Sequence, residues 1–168
     1  IRPGMSIFLG TAVAEPRTMV RHLMTSDARN LEDLELIQVV SVGDAVSLQS
    51  LQTQDFRLKT FFHGWVADEA IEEGRVDLIP SRFVKIPQLI ESLLRPIDVA
   101  IVQITPPNAD GFCSLGIAVD VAREALEQAS VRVGEINTQI PHTFGDTFVQ
   151  AAEFDFLVAA TDPPIYFD

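Results

Sequence analysis

Short apolar runs alternate along the chain with apolar residues spaced three and four apart. Ser6–Leu9 is a run closed by Gly10, which predicts a strand. Pro16, Met19, Val20, Leu23 and Met24 then fall at i, i+3, i+4, i+7 and i+8, one face of a helix. Pro16 suits the first helical position, where a missing N–H is not needed. Leu34–Val40 and Phe56–Phe62 predict two further strands, and Ser41–Asp55 between them predicts a loop with a short helix. Val66–Glu73 reads as a helix ended by Gly74, and Val76–Ile79 as a strand closed by Pro80. Ile86, Leu89, Ile90, Leu93 and Leu94 repeat the helical spacing with Pro87 near the start. Ile97–Ile104 is the strongest strand pattern and stops at Pro106-Pro107. Ala118–Ala129 predicts a helix, Val131–Ile136 a strand and Phe156–Ala160 a last strand.

Strands alternating with helices of this size imply βαβ units and a mostly parallel sheet. No repeat, low-complexity segment or linker interrupts the pattern, so the 168 residues read as one α/β domain. In an open parallel sheet, ligands bind outside the carboxyl ends of the strands. Four loops follow predicted strands there: Gly10–Glu15, His63-Gly64-Trp65, Pro106–Gly116 and Asn137–Asp146.

Composition narrows the partners. Twelve Lys and Arg against twenty-four Asp and Glu leave a net charge of −12. Such a chain repels phosphate backbones, so no nucleic-acid partner is expected. The longest apolar run, Phe156–Ala160, has five residues, whereas a membrane-spanning helix needs about 20, so no membrane partner is expected either. A single cysteine, Cys113, allows no internal disulfide and no cysteine-rich metal site, which fits a cytoplasmic setting. Ile1–Thr18 lacks the basic-then-apolar order of a signal peptide. Ile1-Arg2-Pro3-Gly4 reads like the interior of a longer polypeptide.

Each loop suits either chemistry or plain architecture. Gly10-Thr11 suits a backbone-donor loop that a ligand approaches closely, and equally a strand-to-helix turn. Pro106–Gly116 is long for a βα connection; Pro106 and Pro107 stiffen its entry and Gly111 permits a reversal. Gly116 is expected to lead into a helix whose N–H groups could face an anion. The loop then serves as a rigid wall for a small acidic ligand or as a structural turn. His63 and His142 suit carboxylate donors or backbone caps. Cys113 has no local histidine partner and reads as a packed thiol. His22 reads as surface, and Asp68, Glu69, Glu72 and Glu73 as a solvated helix face. No metal site is expected. Gly-x-Gly-x-x-Gly, the P-loop, His-Glu-x-x-His and Gly-x-Ser-x-Gly do not occur.

Several stretches nonetheless resemble one family. Gly74-Arg75-Val76-Asp77-Leu78-Ile79-Pro80, Ile86-Pro87 and Pro96–Pro107 are similar to the N-terminal half of acetyl-CoA hydrolase/transferases, coenzyme A transferases related to 4-hydroxybutyrate CoA-transferase. Asp110–Gly116, Asn137–Pro141, Gly145-Asp146 and the loop from Gly10 to Pro16 continue the resemblance. It implies a three-layer α/β/α fold of the NagB/RpiA/CoA-transferase type. It also implies that residues 1–168 form one half of a two-half enzyme, with a C-terminal catalytic half as partner and with acyl-CoA and a small carboxylate as substrates. No cofactor is implied beyond the coenzyme A thioester as substrate. In such enzymes a glutamate attacks the thioester and becomes a glutamyl-CoA thioester, which passes to another carboxylate or to water.

None of the eleven glutamates here matches the nucleophile motif, so no catalytic residue is assigned in this chain. The resemblance gives Gly10, Thr11, His63, Gly64, Pro106, Pro107, Gly111, Gly116, Asn137 and His142 to the substrate and acyl pocket. The chain departs from the family pattern in two places: His142 stands where an arginine is usual and Phe144 where a histidine is usual, and His63-Gly64 stands where a Gly-rich pair is common. The first change removes a bidentate carboxylate partner. The other readings are a non-catalytic acyl-CoA-binding or regulatory module fused to another enzyme domain, and a sugar-phosphate isomerase, which would need a basic phosphate site. An isolated half would expose apolar surface, which is compatible with a homo-oligomer.

Overall fold

The computed structural model describes residues 1–42, 46, 51, 55–64, 67–92 and 96–166, the side chains of 67–69 excepted. Most of the expected loop at Ser41–Asp55 lies outside these, as do Trp65, Val66, Leu93 and Leu94. Seven parallel strands form the central sheet: β1 (Ser6–Leu9), β2 (Glu35–Gln38), β3 (Arg57–Thr60), β4 (Val76–Leu78), β5 (Val99–Ile104), β7 (Val131–Ile136) and β9 (Phe156–Ala159). Their order is β4-β3-β2-β1-β5-β7-β9. The chain therefore builds outward from β1 in one direction, then crosses back to lay β5 on the other side of β1. Among the described residues, helices α1 (Arg17–Thr25), α2 (Ala67–Glu72), α3 (Ile86–Glu91) and α4 (Ala122–Gln128) accompany the sheet.

Alternation along the buried strands divides the core in two. Phe8, Ala100, Val102 and Ile104 face one side and pack with Ile86 and Ile90 of α3 and Ala122, Ala125 and Leu126 of α4. Ile7, Leu9, Val99 and Ile101 face the other side and pack with Val20, Leu23 and Met24 of α1 and Ala70 of α2. Every residue of β1 and β5 is buried, as expected of central parallel strands covered on both faces. The layers are thus α/β/α, in agreement with the fold the sequence implies. Among the described residues, no helix is long and apolar enough to cross a membrane.

Two short strands were not foreseen. Phe112–Ser114 (β6) and Phe148–Gln150 (β8) pair antiparallel, apart from the main sheet. Three residues each is too short for a readable alternation, and each lies in a segment whose Gly, Pro and Asn residues signal loop. The helix expected over Ala118–Ala129 begins only at Ala122. Asp120 stands before it at φ +32, a conformation a helix cannot incorporate.

α1 is anchored by an acid from the sheet. The Glu135 carboxylate accepts hydrogen bonds from the Met19 amide (2.8 Å) and the Thr18 amide (3.4 Å). Charge at a helix N-terminus offsets the macrodipole. Glu135 is wholly buried, and that burial lifts its pKa above the ordinary 4.5; the two amides pull it down, Asp162 pushes it up and His22 pulls it down. A raised folded pKa means that the folded state holds the proton more tightly than the unfolded one. This contribution to stability is complete below the unfolded value and is lost as pH rises through the folded one. The expected result is that wild type loses stability relative to Glu135→Gln as pH climbs above 4.5, measured by urea denaturation over a pH series. A difference that does not change with pH contradicts it.

Candidate functional site

The strand order reverses between β1 and β5, and the carboxyl edge at such a reversal is where parallel α/β sheets hold ligands. The Gly10–Glu15 loop crosses this point. The Gly10 amide donates to Ile101 O at 2.9 Å, which extends the β1–β5 pairing past the last strand residue. Val39 N donates to Thr11 Oγ1, and Ala12 N to Val40 O, so the loop is also tied to the end of β2. Ala12 sits at φ +51, an uncommon conformation for a residue with a side chain.

Beneath the loop lies a buried polar clasp that the sequence reading missed. Glu15 is wholly buried. Gln38 of β2 donates through Nε2 to Glu15 Oε2 and Gly10 O, both at 3.1 Å. Gln103 of β5 donates to the Glu15 backbone carbonyl at 3.0 Å. Glutamine within otherwise apolar strands at both positions was the available signal, since a buried amide requires a partner.

The other loops reach the same edge. His63 and Gly64 follow β3, two strands from β1. His63 is exposed, while Gly64 lies against the β2 loop, where a Cβ would come within 1.9 Å of Ser41 O. Pro106 and Pro107 follow β5 and are exposed. After them Asn108 Oδ1 accepts from Asp110 N and Phe112 N, and Gly111 takes φ +83 to turn the chain into β6. Asn137, after β7, is buried; its Oδ1 accepts from Gln139 N and its Nδ2 donates to Asp162 O. His142 is exposed on the following segment.

Of the ten candidate positions at this edge, four are buried, four are exposed, and Gly64 and Gly111 are partly buried. Gly10, Thr11, Gly116 and Asn137 are buried and hold loops in place. The amides of Gly10, Gly111, Gly116 and Asn137 are all bonded inside the protein, to Ile101 O, Asn108 O, Ser114 Oγ and Ile104 O. His63, Pro106, Pro107 and His142 face solvent. Gly116 also departs from its expected position at the start of a helix. It turns at φ +70 against Ile140, and α4 starts only at Ala122.

The rim after β5 and β7 is knitted by hydroxyls. Thr105 Oγ1 accepts from Ser114 N, and Ser114 Oγ lies 3.0 Å from Thr143 Oγ1 and 3.3 Å from Thr147 Oγ1. Thr143 donates onward to Gly116 O. Cys113, between them in sequence, is buried, and burial pushes its thiol pKa up, away from nucleophilic character. No group of three or more metal-ligating side chains occurs among the described residues.

Comparison with known proteins fits this architecture. A family model described as the acetyl-CoA hydrolase/transferase N-terminal domain matches residues 1–167. The chain belongs to the acetyl-CoA hydrolase/transferase family. It is 32% identical over 152 residues to the 4-hydroxybutyrate coenzyme A transferase of Clostridium kluyveri, covering 90% of this chain and 35% of that protein. It is 30% identical over 164 residues to a succinyl-CoA:acetate/propanoyl-CoA:succinate CoA transferase of Fasciola hepatica, covering 97% and 34%. The chain therefore spans about a third of the length of these curated relatives. Among solved structures, RipA from Yersinia pestis superposes with TM-score 0.86 at 22% identity, over 100% of this chain and 41% of RipA. A 4-hydroxybutyrate CoA-transferase from Porphyromonas gingivalis gives TM-score 0.64 at 23% identity, over 98% and 37%. Both share the fold.

The close approaches in this family member allow a direct check. A Cβ at Gly10 would sit 2.7 Å from Ala14 O, and one at Gly64 1.9 Å from Ser41 O, both backbone atoms. Gly10→Ala and Gly64→Ala are each expected to lower stability by roughly 1–3 kcal/mol in urea denaturation, since backbone must move to admit the methyl. Unchanged midpoints contradict the tight loop packing.

Proposed function

We propose that the chain is the N-terminal half of a CoA-transferase or acyl-CoA hydrolase, and that it walls the acyl pocket while the attacking glutamate comes from a C-terminal half. The carboxylate of that glutamate adds to the thioester carbonyl and expels CoA as a thiolate, leaving an acyl-glutamyl anhydride. The thiolate then attacks the glutamyl carbonyl, which releases the acyl group as a carboxylate and leaves a glutamyl-CoA thioester. A second carboxylate, or water, takes over from there.

The observation that carries this reading is the carboxyl-edge rim itself. The Gly10–Glu15 loop crosses the β1–β5 reversal, yet Glu15 in that loop and Glu135 of β7 are buried and accept hydrogen bonds from within the protein. A carboxylate so held is a poor nucleophile for a ligand at this edge. Glu135 also occupies the N-terminus of α1, where a phosphate would otherwise find donors. With a net charge of −12, this leaves most of the CoA nucleotide to the other half.

Apolar surface at the β9 edge of the sheet supports a second half. Beside α1, an apolar cavity of about 340 Å³ lies against β5, β7 and β9, lined by Met19, Val99, Ile101, Val133, Phe156 and Val158 among others. Phe156 is 61% exposed and Leu157 44%, more apolar surface than an edge strand normally leaves in water. A polypeptide continuing from the C-terminal half would cover it. The setting proposed for the whole enzyme is cytoplasmic.

The test is thioester cleavage. Residues 1–168 alone are expected to release no thiol from acetyl-CoA above the buffer rate, with or without acetate or hydroxylamine. The same residues joined to the C-terminal half are expected to turn over. Cleavage by residues 1–168 alone contradicts the assignment of the nucleophile to the other half.

A further inference from the structure

The solvent-facing tier of the rim carries an aromatic cluster that the catalytic reading leaves unused. The His142 ring lies 5.3 Å from that of Phe148 and 5.9 Å from that of Phe144, and the two phenyl rings are 6.4 Å apart. Phe112 joins edge-on to Phe148 at 6.3 Å. These separations fall in the range where rings attract one another. Phe144 is nevertheless 84% exposed and His142 is exposed, so the cluster opens outward.

Its position ties it to the carboxyl edge. Phe112 and Phe148 belong to the paired strands β6 and β8. Thr143, between His142 and Phe144, bonds to Ser114, whose amide donates to Thr105 at the end of β5. Arg123 Nη2 donates to Phe148 O at 2.7 Å from beneath and pairs with Asp146, which fixes the segment to α4. The rings are therefore part of the rim and are held on two sides.

We infer that His142, Phe144 and Phe148 are specificity-determining residues that take the flat ring of an aromatic carboxylic acid in preference to a short acid such as acetate. A two-carbon acid offers no surface to cover three rings, while a flat ring can lie against Phe144 and meet the edges of its neighbours. His142 adds an N–H donor beside the phenyl faces. Asp146, in the same segment, is paired with Arg123.

The inference rests on the proposed function only for what later happens to the acid; binding is read on the chain itself, so failure of one is distinguishable from failure of the other. Saturation-transfer NMR on the 168-residue chain would use phenylacetate and acetate as probes. Phenylacetate ring protons are expected to receive saturation, with affinity about tenfold above that of acetate. Phe144→Ala is expected to bring the two acids within about twofold. His142→Ala, with a dispersed amide spectrum confirming the fold, is expected to weaken phenylacetate as well. Equal affinity for both acids, absence of transfer to phenylacetate, or an unchanged preference in Phe144→Ala overturns the inference.

Discussion

Strands β1 and β5 lie side by side although β2, β3 and β4 come between them in the chain. That pairing must be made before the carboxyl edge can exist as a site, and the protein secures it at both ends. At the amino end, Ser6 N donates to Asp98 Oδ2 at 2.8 Å, Asp98 N returns a bond to Ser6 O, and Ser6 Oγ donates to Pro96 O. At the carboxyl end, Gly10 continues the ladder onto Ile101, and Gln103 reaches across to the Glu15 carbonyl. Between them all ten strand residues are buried. Burial drives the association without direction, and the polar ties at the two ends set its register.

The Gly10–Glu15 loop inherits its shape from this arrangement. It has to leave β1, pass over the reversal and deliver α1 to one face, all against a backbone that already approaches within van der Waals limits. Glycine at position 10 admits the approach, and Ala12 tolerates a left-handed conformation because its neighbours bond it to β2. The consequence for chemistry is that most amide dipoles in the inner tier are spent on architecture. What faces solvent is the outer tier of imidazole, proline and phenyl groups. This division fits a half that shapes a pocket better than one that performs acyl transfer alone.

The layers and the seven strands of the main sheet were legible in the sequence because apolar runs and period-3.6 patterns depend on burial, which is complete along β1 and β5. Val131–Ile136 coincides with its strand residue for residue, and Ser6–Leu9 likewise. The ribbon of Phe112–Ser114 and Phe148–Gln150 was not legible, since its partners are distant in sequence and its pattern is three residues long. The clasp of Glu15, Gln38 and Gln103 was missed for a related reason. Each residue reads as an ordinary polar position until topology brings the three together under one loop. The loops were correctly gathered at one edge, which follows from parallel strands. Which of their residues face inward depends on packing that no local pattern encodes: Asn137 turned out to be a buried turn-former, while Phe144, outside the expected pocket, stands in the open.

The central claim is that the carboxyl edge at the β1–β5 reversal forms one wall of a bipartite acyl-CoA cleft. A crystal structure of the full-length polypeptide with a bound acyl-CoA tests it most directly. The account predicts the thioester carbon within van der Waals contact, about 4 Å, of the rim formed by the Gly10–Glu15 loop and the segment after Thr105, with a glutamate of the other half on its far side. A thioester bound at the opposite edge of the sheet, or attacked by a glutamate of this chain, would contradict it.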